Sequence, residues 1–269
     1  MNMSIIAGSR LRGGGGLMLN LFPNASLGLS LRKLDKDYTG FCIKVRRSSD
    51  NAEQDVGFLN NELDTASLLT FVGSGNGFVT TIYDQVASNN MVKTTASLQG
   101  QIVSNGSVIL KGGKPCIIRS VDDDGGYLST YAPNDGVSIK GMFYVGDNEG
   151  RRSVIFGSNT VNEDFGFQAK EGDFSNESVD FNPTISLTKL NGSTTTFQNT
   201  GQTYAATNSQ FLLYREIQFN FNDNVLGLGY RQSNPSSVGM FTFQELAIFE
   251  NTDDAVDKEN NTNGYFSIY

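Results

Sequence analysis

Short apolar runs recur along the chain, separated by clusters rich in Gly, Asn and Asp. Runs of this length predict strands and the clusters between them predict turns. Phe41, Ile43 and Val45 alternate with Cys42, Lys44 and Arg46, the period of a strand whose two faces meet different surroundings. Phe78, Val79, Thr80, Thr81, Ile82 and Tyr83 form a β-prone run entered through the glycines of Gly73 to Gly77. Further runs follow at 101–103, 107–110, 116–118, 142–145, 154–156, 165–167, 185–187, 211–214, 225–228 and 240–249. Turn signals at Asn105-Gly106, Gly112-Gly113, 122–126 and 147–150 divide the earlier of these.

Helical signals are few. Asp64 before Thr65, Ala66, Ser67, Leu68 and Leu69 predicts a short N-capped helix. Residues 253–263 predict another, with Asp253, Asp254 and Asp257 at its positive end, after which Tyr265, Phe266, Ile268 and Tyr269 read as a closing strand. Asn24-Ala25-Ser26, followed by Leu27, Leu29, Leu31 and Leu34, suits a capped helix or a strand equally. Many short strands with few helices argue for an all-β antiparallel sandwich with short helices, against a βαβ enzyme. The tract Gly13 to Gly16 costs much entropy to order, so residues 1–16 are expected to form a flexible attachment arm and residues 17–269 a single sandwich domain. Ile5, Ile6 and Leu11 would supply the arm's apolar contacts, and Arg10 and Arg12 its charged ones.

Composition narrows the chemistry. The chain of 269 residues holds no histidine, which closes His-dependent nucleophile triads and imidazole zinc sites. Its net charge of −8 argues against nucleic acid as a partner. No apolar run reaches the length of a membrane span, and no secretion signal opens the chain, so a soluble protein made in the cytoplasm is expected. Two cysteines, Cys42 and Cys116, are read as separate reduced thiols. Basic residues outnumber acidic ones up to residue 120 and the reverse holds beyond it, a polarity that would suit homo-oligomeric or multi-copy assembly.

The densest polar cluster is Lys44, Arg46, Arg47, Ser48, Ser49, Asp50, Asn51, Glu53, Gln54 and Asp55, in which Arg46, Arg47, Asp50, Glu53 and Asp55 are read first as a structural network of charge-assisted hydrogen bonds. A catalytic reading would draw an acid and a base from Asp50, Glu53 and Asp55. Tyr83, Asp84 and Gln85 are candidate glycan contacts, by ring stacking and polar hydrogen bonds. No cofactor is required, although Asp122, Asp123 and Asp124 are weak candidates for calcium.

Residues 31–34, 38–40 and 45–58, with the segment Arg46-Arg47-Ser48-Ser49-Asp50-Asn51, resemble the opening of the catalytic sandwich of arabinofuranosidase B-like proteins, and more closely a version in tailed-bacteriophage virion proteins. The likeness continues through 63–69, 77–85 and 260–265. It implies a concanavalin A-like jelly roll and, in the enzyme branch, removal of arabinofuranose by a carboxylate nucleophile and a carboxylate acid/base. The segment Leu226 to Asn234 resembles the enzyme's acid/base region, with Arg231 and Gln232 where the aspartate is sought. Neither can alternate as acid and base at neutral pH. The expectation is therefore a non-catalytic relative: a virion structural protein, such as a head fibre, capsid decoration or tail-associated module, assembled in the bacterial host cytoplasm. It would contact other virion proteins through the arm and present the sandwich to a surface glycan. The alternatives are a host-surface glycan-binding adhesin and an α-L-arabinofuranosidase-like glycoside hydrolase.

Overall fold

The computed structural model describes residues 16–120, 126–131, 139–147, 153–154, 156–158, 168–169, 184–194, 210–218, 226–228 and 241–269. Among these, the strands form a six-stranded and an eleven-stranded sheet, with three two-stranded ribbons. The architecture is an all-β, concanavalin A-like jelly-roll sandwich with a few short helices. Every strand pairing is antiparallel.

The six-stranded sheet runs Ala25–Ser30, Glu245–Phe249, Ile139–Gly146, Phe211–Gln218, Thr184–Leu190, Ser193–Thr194. Its side chains alternate between two apolar layers. Leu27, Leu29, Met142, Tyr144, Leu213, Leu246 and Ile248 point into the core shared with the other sheet. Phe143, Val145, Leu212, Tyr214, Ala247 and Phe249 meet a second cluster on the opposite face. Two helices supply that cover: α1 (Met18–Leu21) contributes Met18 and Leu19, and α3 (Ala255–Phe266) contributes Phe266. The ambiguous segment after Asn24 is thus a strand, because the alternating Leu27 and Leu29 are both fully buried. Tyr265 and Phe266 belong to α3 and form no closing strand: Phe266 seats against the sheet, and the Tyr265 ring lies 4.6 Å from the Arg32 guanidinium carbon.

The eleven-stranded sheet runs Phe156–Ser158, Leu226–Leu228, Tyr127–Leu128, Met91–Val92, Gly77–Ile82, Gln101–Ser104, Ile117–Arg119, Phe241–Phe243, with Ser107–Val108 paired to Gln101–Ser104 and the hairpin Ile43–Arg47/Glu53–Val56 paired to Gly77–Ile82. The single expected run at 240–249 is two strands in different sheets. Gln244 is the corner between them: its backbone N–H donates to Val145 O and its carbonyl accepts from Leu31 N. Its buried side chain donates to the carbonyls of Lys111, Lys114 and Pro115 and accepts from Gln210.

Four two-residue hairpin loops have positive φ at both positions: Asn60-Asn61, Asn105-Gly106, Gly112-Gly113 and Asn191-Gly192. Their twist matches that of the strands they join, and Asn and Gly are the residues that adopt it at least cost. Asp64 caps α2 (Thr65–Val72): its carboxylate accepts from Ser67 N at 3.0 Å and from the Ser67 hydroxyl at 2.6 Å. Asp64→Ala is expected to lower stability by about 1 kcal/mol, read as a fall in the urea midpoint at unchanged m-value; no fall would remove the cap from the account. Cys42 and Cys116 are both buried thiols outside any disulfide, and burial pushes the Cys42 thiol pKa up. No described helix is long and apolar enough to cross a membrane.

Candidate functional site

With the six-stranded sheet covered on both faces, the outer face of the larger sheet is where side chains stand open. Its registers place Asp55, Lys44, Thr81, Val92, Leu128, Gly227 and Gly157 in one row across adjacent strands. Val92 is exposed and Lys44, Asp55 and Thr81 are half-buried, while Val45, Val79 and Ile82 on the same strands are fully buried. The pleat therefore separates a wet face from the core.

The Asp55 end of the row carries aromatic rings. Tyr83 follows Ile82 and turns outward, where its hydroxyl donates to Asp55 Oδ1 at 2.6 Å. Lys44 Nζ lies 3.9 Å from the same oxygen. Partial burial and the carboxylate both raise the Tyr83 pKa, so the phenol stays protonated and keeps donating. Phe41 is 49% exposed, its ring centroid 6.2 Å from that of Tyr83. Tyr38 donates to the Phe41 carbonyl at 2.9 Å and meets Phe58 edge-on at 6.2 Å. Phe41 departs from the expected alternation because Cys42, not Phe41, turns inward: Cys42 N–H donates to Val56 O, and its thiol to Ser30 O at 3.3 Å.

The other residues singled out from the sequence have different surroundings. Arg47 makes a bidentate pair with Asp50, at 2.8 and 2.6 Å, and also donates to Phe71 O. That pairing holds the Asp50 carboxyl well below the usual range. Arg46 donates to Gln99, Asn51 and the Ala96 carbonyl and lies over the Phe78 ring at 4.9 Å. Glu53 stands opposite Arg46 in the hairpin and is exposed. Asp84 and Gln85 are buried. Asp84 accepts four backbone N–H bonds, from Gly28, Val86, Ala87 and Asn89. Gln85 accepts from Leu34 N and donates to the Ser30 and Arg32 carbonyls. Of the three candidate glycan contacts, Tyr83 is the one on the open face.

The arm residues Ile5, Ile6, Arg10, Leu11 and Arg12, the triad Asp122, Asp123 and Asp124, the run 165–167, and Arg231 and Gln232 lie outside the described residues. Among the described residues no group of three or more His, Cys, Asp or Glu is placed to hold a metal ion. Lys44 belongs to the polar cluster read from the sequence, whereas Phe41, Tyr38 and Phe58 were not legible as part of a surface group, since alternation assigns Phe41 to the face of Ile43 and Val45.

The model of the family "Alpha-L-arabinofuranosidase B, catalytic" matches residues 25–120, the stretch that contains this corner. No curated protein is a match to the sequence. Among solved structures, a mutant GH54 α-L-arabinofuranosidase soaked with 4-nitrophenyl α-L-arabinofuranoside is similar at 15% identity and a TM-score of 0.56. A GH54 α-L-arabinofuranosidase soaked with a cyclic sulfate inhibitor gives 15% and 0.55. An arabinofuranosidase complexed with arabinofuranosyl-α-1,2-xylobiose gives 14% and 0.54. Each comparison covers 91% of this chain and 63% of the other, so the chain spans under two thirds of the length of these structures. At this identity the structures establish the shared sandwich fold.

These findings correct the expectation of a phage virion protein. The matching family model is that of the catalytic domain itself, and the solved structures that share the fold are arabinofuranosidases. The non-catalytic reading falls with it, as do the virion partners met through the arm and the virion location. The error has a physical origin. It rested on the closer resemblance to phage virion proteins, on a glycine tract read as an arm, and on placing Arg231 and Gln232 at an acid/base position, where a slip of a few residues in a turn-rich segment changes which side chain is compared.

Proposed function

We propose that the chain is an arabinofuranosidase-like glycoside hydrolase domain acting on α-L-arabinofuranosyl groups. The observation that carries this reading is the catalytic-domain family match over residues 25–120; the sandwich shared with solved arabinofuranosidases supports it. Glycoside cleavage takes two carboxyl groups, one to protonate the leaving oxygen and one as nucleophile or base. Neither Arg231 nor Gln232 supplies such a group, so the acid/base must be another carboxylate. Asp84, Glu245, Asp64 and Asp50 are already committed to backbone donors, an ion pair, a helix cap and Arg47. The chain's acidic residues between 160 and 180, Glu163, Asp164, Glu171, Asp173, Glu177 and Asp180, are the first set to replace singly by Gln or Asn.

The test is release of 4-nitrophenol from 4-nitrophenyl α-L-arabinofuranoside above the uncatalysed rate, with loss in at least one single variant that remains folded. A folded wild-type protein that releases no arabinose from this substrate or from arabinosylated xylo-oligosaccharides would refute the reading.

A further inference from the structure

The corner formed by Phe41, Tyr83, Tyr38, Phe58, Asp55 and Lys44 combines features that a sugar chain requires. Phe41 offers an aromatic face that is 49% exposed, beside Tyr83 at 6.2 Å. Flat rings of this kind take the C–H face of a sugar, and polar groups at the edge fix its hydroxyls. Tyr83 is locked by its bond to Asp55, and Tyr38 by its bond to the Phe41 carbonyl, so little side-chain freedom is lost on binding. Asp55 Oδ2 accepts no hydrogen bond from the described residues, and Lys44, at 35% side-chain exposure, supplies donors next to it.

Charge identifies the occupant. Lys44 and Asp55 offset each other at 3.9 Å, and Glu53 stands opposite Arg46 in the next register pair on the same face. A locally balanced corner offers no field for a polyanion or polycation and suits a neutral polyhydroxyl chain. We propose that this corner binds a neutral polysaccharide by stacking on Phe41 and hydrogen bonding to Asp55, Tyr83 and Lys44. This rests on the arabinofuranosyl reading only for the choice of polymer.

Affinity electrophoresis in gels with and without arabinoxylan reads binding directly. Wild type should be retarded by the polymer, Phe41→Ala should raise the apparent Kd by roughly 3- to 10-fold, and Phe41→Trp should restore retardation. Circular dichroism of each variant confirms that it is folded; should Phe41→Ala fail to fold, Tyr83→Phe, which removes the donor to Asp55, serves in its place with the same expected weakening. Wild type unretarded by arabinoxylan, retardation unchanged in the folded variants, or stronger retardation by the polyanion dextran sulfate would each overturn the proposal. So would a concentration-dependent dimer that Phe41→Ala dissociates. Retardation abolished by Phe41→Ala in a protein that releases no 4-nitrophenol would uphold this site while refuting the hydrolase reading.

Discussion

Asp84→Ala is expected to cost more stability than any other single truncation among the described residues, at least about 3 kcal/mol. The residue is 3% exposed, and both carboxylate oxygens are in use: Oδ1 accepts from Gly28 N at 2.8 Å and Val86 N at 3.0 Å, Oδ2 from Ala87 N and Asn89 N, each at 3.0 Å. Truncation strands four backbone donors with little room for water to replace the carboxylate. Three of them, Val86, Ala87 and Asn89, lie in the loop after strand Gly77–Ile82, and Gly28 belongs to the edge strand of the other sheet, so the side chain fastens one sheet to the other. Asparagine is a poor rescue, because its amide group would point two hydrogens at two N–H groups. Urea denaturation should show a large fall in midpoint for Ala and an intermediate one for Asn. An Ala variant within about 1 kcal/mol of wild type would show that the donors find other acceptors.

The second large effect is expected from Glu245. Its carboxylate is fully buried and takes Arg32 in a bidentate grip, Nε to Oε2 at 2.7 Å and Nη2 to Oε1 at 3.0 Å. The Ser30 hydroxyl donates to Oε2 at 2.8 Å and Thr262 of α3 to Oε1 at 3.4 Å. Glu245→Gln keeps the shape and leaves the Arg32 charge buried without its counter-ion, which costs roughly 3–5 kcal/mol. Replacing both partners, Arg32→Met with Glu245→Leu, removes the stranded charge and should recover a good part of that loss. The comparison separates a missing counter-ion from a merely damaged contact. If the double variant proved as unstable as the sum of its singles, the pair would matter for its packing and hydrogen bonds to Ser30 and Thr262.

Where local chemistry decides conformation, the sequence was readable. Asp64 announced α2, and Asn105-Gly106 and Gly112-Gly113 announced two of the hairpins, since each turns on one or two residues whose backbone preference is strong. The strands at 43–47, 77–82 and 211–218 were legible from short β-prone runs. What sequence concealed depends on distant partners. Nothing local tells that Gln244 ends one sheet and begins another, or that Tyr265 and Phe266 finish a helix over Arg32 and the outer cluster. Asp84 and Gln85 looked like polar groups awaiting a ligand because Gly28, which ties Asp84 to the other sheet, and the partners of Gln85 at Ser30, Arg32 and Leu34 lie some fifty residues away in the chain. Phe41 looked like core for the opposite reason: the alternation that begins at Ile43 does not extend back to it.

Gln244 links strands Phe241–Phe243 and Glu245–Phe249 with no intervening loop. Shear between the two sheets would have to stretch the covalent backbone at that point, so the sandwich deforms as one elastic body. Adjustment to a bound molecule then falls to the connections at the rim, while the ground on which Asp55 and Tyr83 stand keeps its shape.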